Sequence, residues 1–175
     1  MTAGTDAGRY CVTLVTMVTR HVLSDGTQVT IRPIEASDKQ ELQDGLQRLS
    51  DETVQRRFLV PKARFTKAEL RYLTEVDGHD HVALVAESDR WPGMVVAVAR
   101  YVRLNEDPDT AETAIVVADA LQGLGLGTLL AERLASIAVL HDVRRFSAEM
   151  LGDNHAAHRL MDRLQERLQT RPLGA

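Results

Sequence analysis

The order of the predicted elements indicates an α+β fold in which helices flank a mixed, mostly antiparallel sheet. Three observations predict this class: helical patterns dominate the region before residue 77, strand patterns follow one another over residues 81–118, and a strand–helix–strand–helix unit comes last. The chain has 175 residues, 44% of them hydrophobic, which is enough for one domain with a substantial core. We therefore expect an N-terminal extension over residues 1–19 and a single domain over residues 20–175.

The first part of the domain is expected to contain one strand and three helices. Gln28–Ile34 alternates polar and apolar residues, as a half-buried strand does. The three helices are predicted to span about residues 38–49, 50–59 and 66–76. The third has the clearest start, because Thr66 is followed three residues later by Glu69, which is the pattern of a capping box.

Residues 81–118 are expected to fold as an antiparallel meander. The strand patterns cover residues 81–87, 94–104 and 111–118. A turn is predicted at Trp91-Pro-Gly93, because proline and glycine are typical turn residues, and a loop is predicted over residues 105–110.

The most informative segment is the glycine-rich run Gln122-Gly-Leu-Gly-Leu-Gly-Thr128. It follows the strand over residues 111–118 and opens an apolar-periodic helix that ends at His141. Glycines let a backbone approach a ligand closely, and the free amides at a helix N-terminus suit an anion such as pyrophosphate. We therefore expect a phosphate-bearing cofactor here, with a strand over residues 143–151 and a helix from Asp153 completing the unit.

Two other phosphate-binding motifs fit this loop less well. A dinucleotide-binding fold needs the spacing G-x-G-x-x-G directly after its first strand, whereas the spacing here is G-x-G-x-G after a four-residue loop. Glu149 lies about where a ribose-binding acid would fall, so the dinucleotide interpretation remains a minor alternative. A Walker A loop is excluded, because no lysine precedes Thr128.

The composition excludes several classes of protein. With 21 Lys and Arg against 25 Asp and Glu, the chain lacks the basic excess of a general nucleic-acid binder. The single cysteine, Cys11, excludes an intrachain disulfide and a four-cysteine zinc site, which fits a cytoplasmic protein. The apolar run over residues 10–18 is too short and too rich in threonine to span a membrane.

The glycine-rich loop resembles the acyl-CoA pyrophosphate loop of the GNAT family of N-acetyltransferases, whose motif is Q/R-x-x-G-x-G/A. The resemblance extends to Ile31–Asp38, Leu49–Thr53 with Arg57-Phe58, Val76–Glu87 and Ala111-Glu112, which are similar to bacterial protein lysine acetyltransferases of the Pat type. It covers about residues 28–164 and implies a mostly antiparallel GNAT sheet. The expected reaction moves an acetyl group from acetyl-CoA to an amine.

The resemblance implies a cofactor site on the fourth family strand, the loop and the start of the last helix. The implied residues are Val116, Val117, Gln122, Gly123, Leu124, Gly125, Leu126, Gly127, Thr128 and Asn154. Gln122 either contacts the cofactor or holds the loop. Thr128 either bonds a phosphate or caps the helix, and Asn154 either bonds the cofactor or serves the helix N-terminus.

Glu112 matches the glutamate that is thought to accept the proton of the amine in Pat-like enzymes, usually through water. Acyl transfer needs a neutral amine, because a protonated nitrogen has no lone pair. A carboxylate within an apolar strand can have its pKa raised by burial, which would suit this role. The alternative is an ordinary strand glutamate that faces solvent.

Three departures from the family pattern bear on function. Many relatives place at position 161 a tyrosine that protonates the leaving thiolate, and this chain has Met161. Leu124 stands where the family often has a cation that pairs with phosphate. The C-terminal strand hairpin of the family is not evident after Leu164, so we expect a homodimer partner or the N-terminal extension to complete the acceptor site.

Other polar groups are expected to be ordinary surface residues. His79 and His81 have metal-like spacing but no third ligand, so no metal is expected. Four arginines at i, i+4 steps on the last helix are expected to form a solvated face: Arg159, Arg163, Arg167 and Arg171. The resemblance to Pat-type enzymes implies a protein lysine as acceptor. The alternatives are a small amine and an impaired module that only binds or senses acyl-CoA.

Overall fold

The computed structural model describes residues 17–169, and its centre is a six-stranded sheet. The strands are β1 Thr19–Val22, β2 Gln28–Pro33, β3 His81–Ser88, β4 Trp91–Arg103, β5 Thr110–Val117 and β6 Arg145–Ser147. They lie in chain order across the sheet, and each neighbouring pair is antiparallel except β5 and β6, which are parallel. The expected mostly antiparallel sheet is confirmed.

Five α-helices cover the two faces of this sheet. They are α1 Lys39–Arg48, α2 Asp51–Phe58, α3 Lys67–Thr74, α4 Leu126–Leu140 and α5 His155–Gln169. The larger core lies between the sheet and α4 and α5, where Leu130, Leu134 and Ile137 are fully buried. A smaller core forms on the opposite face against α1 and α3. Successive side chains of β3 point to opposite faces of the sheet, so Leu84 packs in the larger core and Val85 in the smaller one.

The helix starts follow the local signals in the sequence. Thr66 and Glu69 form the predicted capping box at the start of α3. The Ser50 hydroxyl accepts a hydrogen bond from the Thr53 amide and caps α2. The predicted end of α4 at His141 is also confirmed.

The sheet differs from the sequence-based expectation in two places. The turn between β3 and β4 lies at Asp89 and Arg90, not at Trp91-Pro-Gly93, because Ser88 pairs with Trp91. The next three residues bulge out of the ladder, where proline lacks the amide needed to pair. Strand β1 was not predicted, and it begins at Thr19, the last residue assigned to the extension.

Cys11 and most of the extension lie outside the described residues. Residues 170–175, on which the expected absence of the C-terminal hairpin depends, also lie outside the described residues. Between residues 17 and 169, no helix is long and apolar enough to cross a membrane.

Candidate functional site

A cleft opens between β5 and β6. The two strands pair only where Thr110–Glu112 lies beside Arg145–Ser147. Residues 113–117 keep their pairing with β4 but have no partner strand on the other side within the described sheet. The predicted strand over residues 143–151 is shorter in the structure, where β6 covers only Arg145–Ser147. After Ser147 the chain leaves β5. Strand separation exposes the backbone edge of β5.

The cleft leads into a cavity of about 570 Å³. Its walls come from the open edge of β5, the glycine-rich loop, residues 148–150, the first half of α5 and the end of α2. The loop and the helix α4 close one end. Glu112 lies on the wall at the other end of β5. This size is typical of a site for a small molecule or cofactor.

The glycine-rich loop has a backbone conformation that glycine makes possible. Gly123 has φ 74° and Gly125 has φ 97°, and a Cβ at either residue would meet no atom within 4 Å. Backbone conformation, not space, therefore requires glycine at these two positions. The amides of residues 123–128 donate no hydrogen bond to another described residue, and Gly125 caps α4 without a side chain. Such amides at a helix N-terminus can bind an anion.

The side chain of Gln122 holds the loop against β5 and α2. Its Nε2 donates to the Val117 carbonyl at 3.0 Å and to Thr53 Oγ1 at 3.1 Å. Of the two roles considered for Gln122, these contacts fit support of the loop and not contact with the cofactor. They also engage the Val117 carbonyl, one of the two positions expected to offer free backbone groups.

Asp119 extends this network to the start of α2. Its carboxylate accepts from the Ser50 hydroxyl at 2.6 Å and from Thr53 Oγ1 at 2.7 Å. Partial burial opposes ionisation, but these hydrogen bonds outweigh it and lower the pKa of Asp119. A charged carboxylate therefore fixes α2 beside the glycine-rich loop.

Two arginines of α5 flank the loop, and they are exposed, as expected of a solvated face. Arg159 and Arg163 line the cavity, and Arg163 Nη1 donates to Thr128 Oγ1 at 3.2 Å. Arg167 is exposed and outside the cavity wall, and Arg171 lies outside the described residues. Arg163 thus places a cation beside the loop, although Leu124 supplies none. The capping alternative for Thr128 is wrong, because Gly125 is the N-cap residue.

The remaining loop leucines and Asn154 have mainly structural side-chain contacts. Leu126 is fully buried in the larger core, and Leu124 packs against the same core. Only their backbones can therefore face a ligand. Asn154 lines the cavity, but its Oδ1 accepts from the Ala157 amide at 3.1 Å, as expected of a residue at a helix start. Val116 lines the cavity as expected.

Glu112 lies on the cavity wall, but it is exposed. The expected burial of this carboxylate within an apolar strand is therefore wrong. The alternation of β5 explains it: Ala111 and Thr113 point into the larger core, whereas Glu112 points to the other face, beside the mouth of the cavity.

Two arginines, Arg57 and Arg100, form a positively charged region beside Glu112, which we call the cationic wall. It was not predicted from the sequence. Arg57 is half-buried, and its guanidinium interacts electrostatically with Glu112. The guanidinium lies 4.9 Å from the centre of the Phe58 ring. It has no hydrogen-bond partner among the described residues. Burial lowers the pKa of Arg57, and Glu112 partly opposes this change. Its position in the cavity wall depends on how α2 packs on β5, which local sequence patterns do not encode.

Arg100 and His81 extend this wall beneath the surface. Burial, followed by the charge of Arg57, lowers the pKa of Arg100 to about 10. Its guanidinium donates to the Leu73 carbonyl at 3.2 Å and lies 3.3 Å from His81 Nε2. Burial and the charge of Arg100 lower the pKa of His81 to about 4, so this histidine is neutral at pH 7. No metal cluster is found in the part of the chain that the structure describes.

Met161 lies in the cavity wall and packs against the larger core. The structure thus places a thioether, which cannot supply a proton, on the wall where many relatives have a tyrosine.

The fold and the cleft define the class of protein. The family model described as "Acetyltransferase (GNAT) family" matches residues 46–165. This chain therefore belongs to the GNAT family of acetyltransferases.

Two curated proteins and one solved structure are similar over most of the chain. The acetyltransferase Pat of Mycolicibacterium smegmatis is 39% identical over 134 residues, which are 77% of this chain and 40% of that protein. The acetyltransferase PA5475 of Pseudomonas aeruginosa is 31% identical over 140 residues, 79% of this chain and 73% of that protein. The crystal structure of the GNAT domain of S. lividans PAT matches with a TM-score of 0.76 and 31% identity, covering 84% of this chain and 86% of that one. The chain spans less than half the length of the Mycolicibacterium relative.

Proposed function

We propose that this protein transfers an acetyl group from acetyl-CoA to an amine, with a protein lysine as the favoured acceptor. The observation that carries the proposal is the cleft along β5, with free loop amides at one end and Glu112 at the other. The similarity to acetyltransferases named Pat supports the same activity.

The loop end of the cleft is suited to the pyrophosphate of acetyl-CoA. The amides of residues 123–128 and the positive end of the α4 dipole favour an anion. Arg159 and Arg163 add two charged side chains on the same wall. The pantetheine arm, which carries amide groups, would lie along the open edge of β5 over residues 113–116 and place the thioester towards Glu112.

In the proposed reaction, the nitrogen of a neutral amine attacks the thioester carbonyl. The C–N bond forms, the C–S bond breaks and the thiolate leaves. Glu112 accepts the amine proton, directly or through water, and the thiolate takes a proton from solvent, because Met161 has none to give. The products are an amide and CoA.

The cationic wall beside Glu112 assists the same step. Arg57 and the buried Arg100 raise the positive potential where the amine would arrive. A nearby positive charge disfavours the protonated form of an amine and so lowers its pKa. More of the acceptor would then be in the reactive neutral form at pH 7.

A protein lysine is favoured over a small amine because the catalytic end is open. Glu112 is exposed and lies on the wall of the cavity. A lysine on a folded protein can reach such an entrance on its long side chain, whereas a small amine is normally bound in an enclosed pocket.

A second candidate function is a module that binds acyl-CoA with little turnover, and Met161 is the observation that favours it. A Met161→Tyr variant separates the two. If thiolate protonation limits the native enzyme, the tyrosine should raise kcat, whereas Met161→Phe should not.

The deciding experiment measures CoA-thiol release from acetyl-CoA with lysine-containing proteins and with a panel of small amines. We expect release with the proteins and a loss of about 100-fold or more in kcat for Glu112→Gln, with acetyl-CoA affinity unchanged. Binding of acetyl-CoA without release on any acceptor would favour the sensing module. Unaltered activity of Glu112→Gln across pH would remove Glu112 as the base.

A further inference from the structure

We propose that Arg57 binds a carboxylate of the acceptor protein, so that the preferred acceptor lysine has an aspartate or glutamate beside it. The inference rests on the proposed function and deepens it, since it concerns the acceptor of that reaction. The transfer itself is unchanged: the acyl carbon leaves the CoA sulfur for the lysine nitrogen, and the carboxylate takes no part in the bond changes.

Arg57 brings unused hydrogen-bond donors to the wall of the cavity. A guanidinium has five N–H donors, and none of those of Arg57 is bonded to another described residue. Glu112 acts on it through charge alone, which offsets only part of the effect of burial. A half-buried cation without a hydrogen-bonded partner is costly, and an incoming anion would remove that cost.

A second cation behind Arg57 increases the need for an anion. Arg100 is 6% exposed, and its guanidinium contacts the Leu73 carbonyl and the neutral ring of His81, neither of which carries a negative charge. The charges of Arg57 and Arg100 also repel each other. Together with an ionised Glu112, the two arginines keep a net positive charge at this end of the cleft.

The donor does not supply the missing anion. The charged groups of acetyl-CoA are its phosphates, and the proposed binding mode places the pyrophosphate at the glycine-rich loop. The acetyl end, which lies towards Glu112, is neutral. A lysine that arrives alone is a cation and is repelled by the cationic wall. A carboxylate beside that lysine reverses the repulsion, and its two oxygens match the planar guanidinium of Arg57 in a bidentate pair.

The surroundings of Arg57 suit contact with a protein. Its guanidinium lies 4.9 Å from the centre of the Phe58 ring, which packs edge-on against Phe65 with the ring centres 5.7 Å apart. Leu59 also lines the cavity and is 37% exposed, and Val60 is 59% exposed. An arginine held by an aromatic ring beside exposed apolar side chains is typical of a protein interface.

Arg56 provides a matched control. It precedes Arg57 on α2 and lines the same cavity, but its guanidinium is already paired with Glu52 at 2.7 Å. Arg56→Gln and Arg57→Gln remove the same charge from the same wall, and only the second removes the unpaired guanidinium. Arg57→Lys keeps the charge and loses the planar fork, and it also serves if Arg57→Gln folds poorly.

The test uses two short peptides with blocked ends, the same composition and one lysine each. One peptide has its glutamate next to the lysine, and the other has it at the far end. With the native protein, kcat/KM for CoA-thiol release should be about tenfold higher for the first peptide, as a charge-assisted pair implies. Arg56→Gln should keep this ratio. Arg57→Gln should bring it close to one, and Arg57→Lys should reduce it to about threefold.

Calorimetric binding of both peptides to the CoA-bound protein gives a readout that does not need turnover. Equal kcat/KM and equal affinity for the two peptides would overturn the inference and leave the proposed function standing. An undiminished preference in Arg57→Gln or Arg57→Lys would do the same. Release that depends on Arg57 with free amino acids, but occurs with neither peptide, would overturn the protein acceptor. Preferential binding of the first peptide without release would refute only catalysis, and failure of both peptides to bind or react would refute both proposals.

Discussion

The carboxylate of Asp119 accepts two hydrogen bonds from Ser50, one from its amide at 2.9 Å and one from its hydroxyl at 2.6 Å. These residues lie 69 positions apart in the chain. Ser50 caps α2, which carries Arg57, and Asp119 lies just before the glycine-rich loop. The contact therefore links the cationic wall to the proposed pyrophosphate site.

We predict that Asp119→Asn weakens both the fold and cofactor binding. Asparagine keeps the size but loses the charge and one acceptor, which should lower the free energy of unfolding by about 1 kcal/mol at this exposed position. The Kd for acetyl-CoA should rise severalfold, because α2 and Thr53 no longer support the loop. Urea denaturation and calorimetry provide the two measurements.

Asp107→Asn is the control for that variant. Asp107 accepts comparable hydrogen bonds from Thr110 and Arg145, at 2.7 and 2.8 Å, but it lies outside the cavity wall. It should lose stability and keep its acetyl-CoA affinity. Equal affinities for both variants and the native protein would show that the Asp119 contact does not support the loop.

A second prediction concerns the backbone of the loop. Gly125→Ala forces a side chain onto a residue with φ 97°, which should cost about 1–2 kcal/mol and turn the amides of α4 away from the ligand. The Kd for acetyl-CoA should rise at least about tenfold. Gly78→Ala, at φ 75° in the turn before β3, is the matched control and should lose stability without losing affinity. If both variants bind acetyl-CoA normally, the loop is not the anion site.

A third prediction tests the arginines of α5. Arg163→Gln should raise the Kd for acetyl-CoA about three- to tenfold and reduce the dependence of that Kd on salt, because one charged contact with phosphate is lost. Arg167→Gln removes an exposed arginine one helical turn further on and should change neither quantity. If the two variants have the same Kd for acetyl-CoA and the same salt dependence, Arg163 does not contact the cofactor.

A fourth prediction concerns stability at acid pH. His81 has a pKa of about 4 in the folded protein and an ordinary value of 6.5. Between these values the unfolded chain binds more protons, so this contribution to stability is complete above pH 6.5 and is lost as the pH falls towards 4. We expect a loss of about 1–2 kcal/mol after allowance for solvent screening.

The measurement is the difference in unfolding free energy between the native protein and His81→Gln from pH 7.5 to 4. The variant removes this titration and leaves those of the carboxylates. Parallel curves for the two proteins would contradict the assignment.

The cofactor end of the site could largely be predicted from the sequence, because its signals are local. Alternate glycines after a strand and an apolar-periodic helix identify the loop, and its amides lie as expected. Its supports are not local. Thr53 and Ser50 reach Asp119 through the packing of α2, and the rotation of α5 that brings Arg163 to Thr128 is set by burial of Leu164 and Leu168.

The catalytic end was harder to predict, because its geometry depends on contacts between distant parts of the chain. Glu112 could be selected from its resemblance to a family motif, but its exposure depends on which face of β5 it occupies. Arg100 becomes part of the same wall only through the register of β4 with β3 and β5, which pairs it with Ala83 and Ala114. Such pairings join distant parts of the chain, and no short pattern encodes them.

We propose that the cleft between β5 and β6 binds CoA by its pyrophosphate. The most direct measurement is a calorimetric titration of the native protein with acetyl-CoA, NAD and ATP under the same conditions. We expect saturable, one-to-one binding of acetyl-CoA that Gly125→Ala weakens at least about tenfold, with no comparable binding of NAD. Binding of NAD without binding of acetyl-CoA would contradict it.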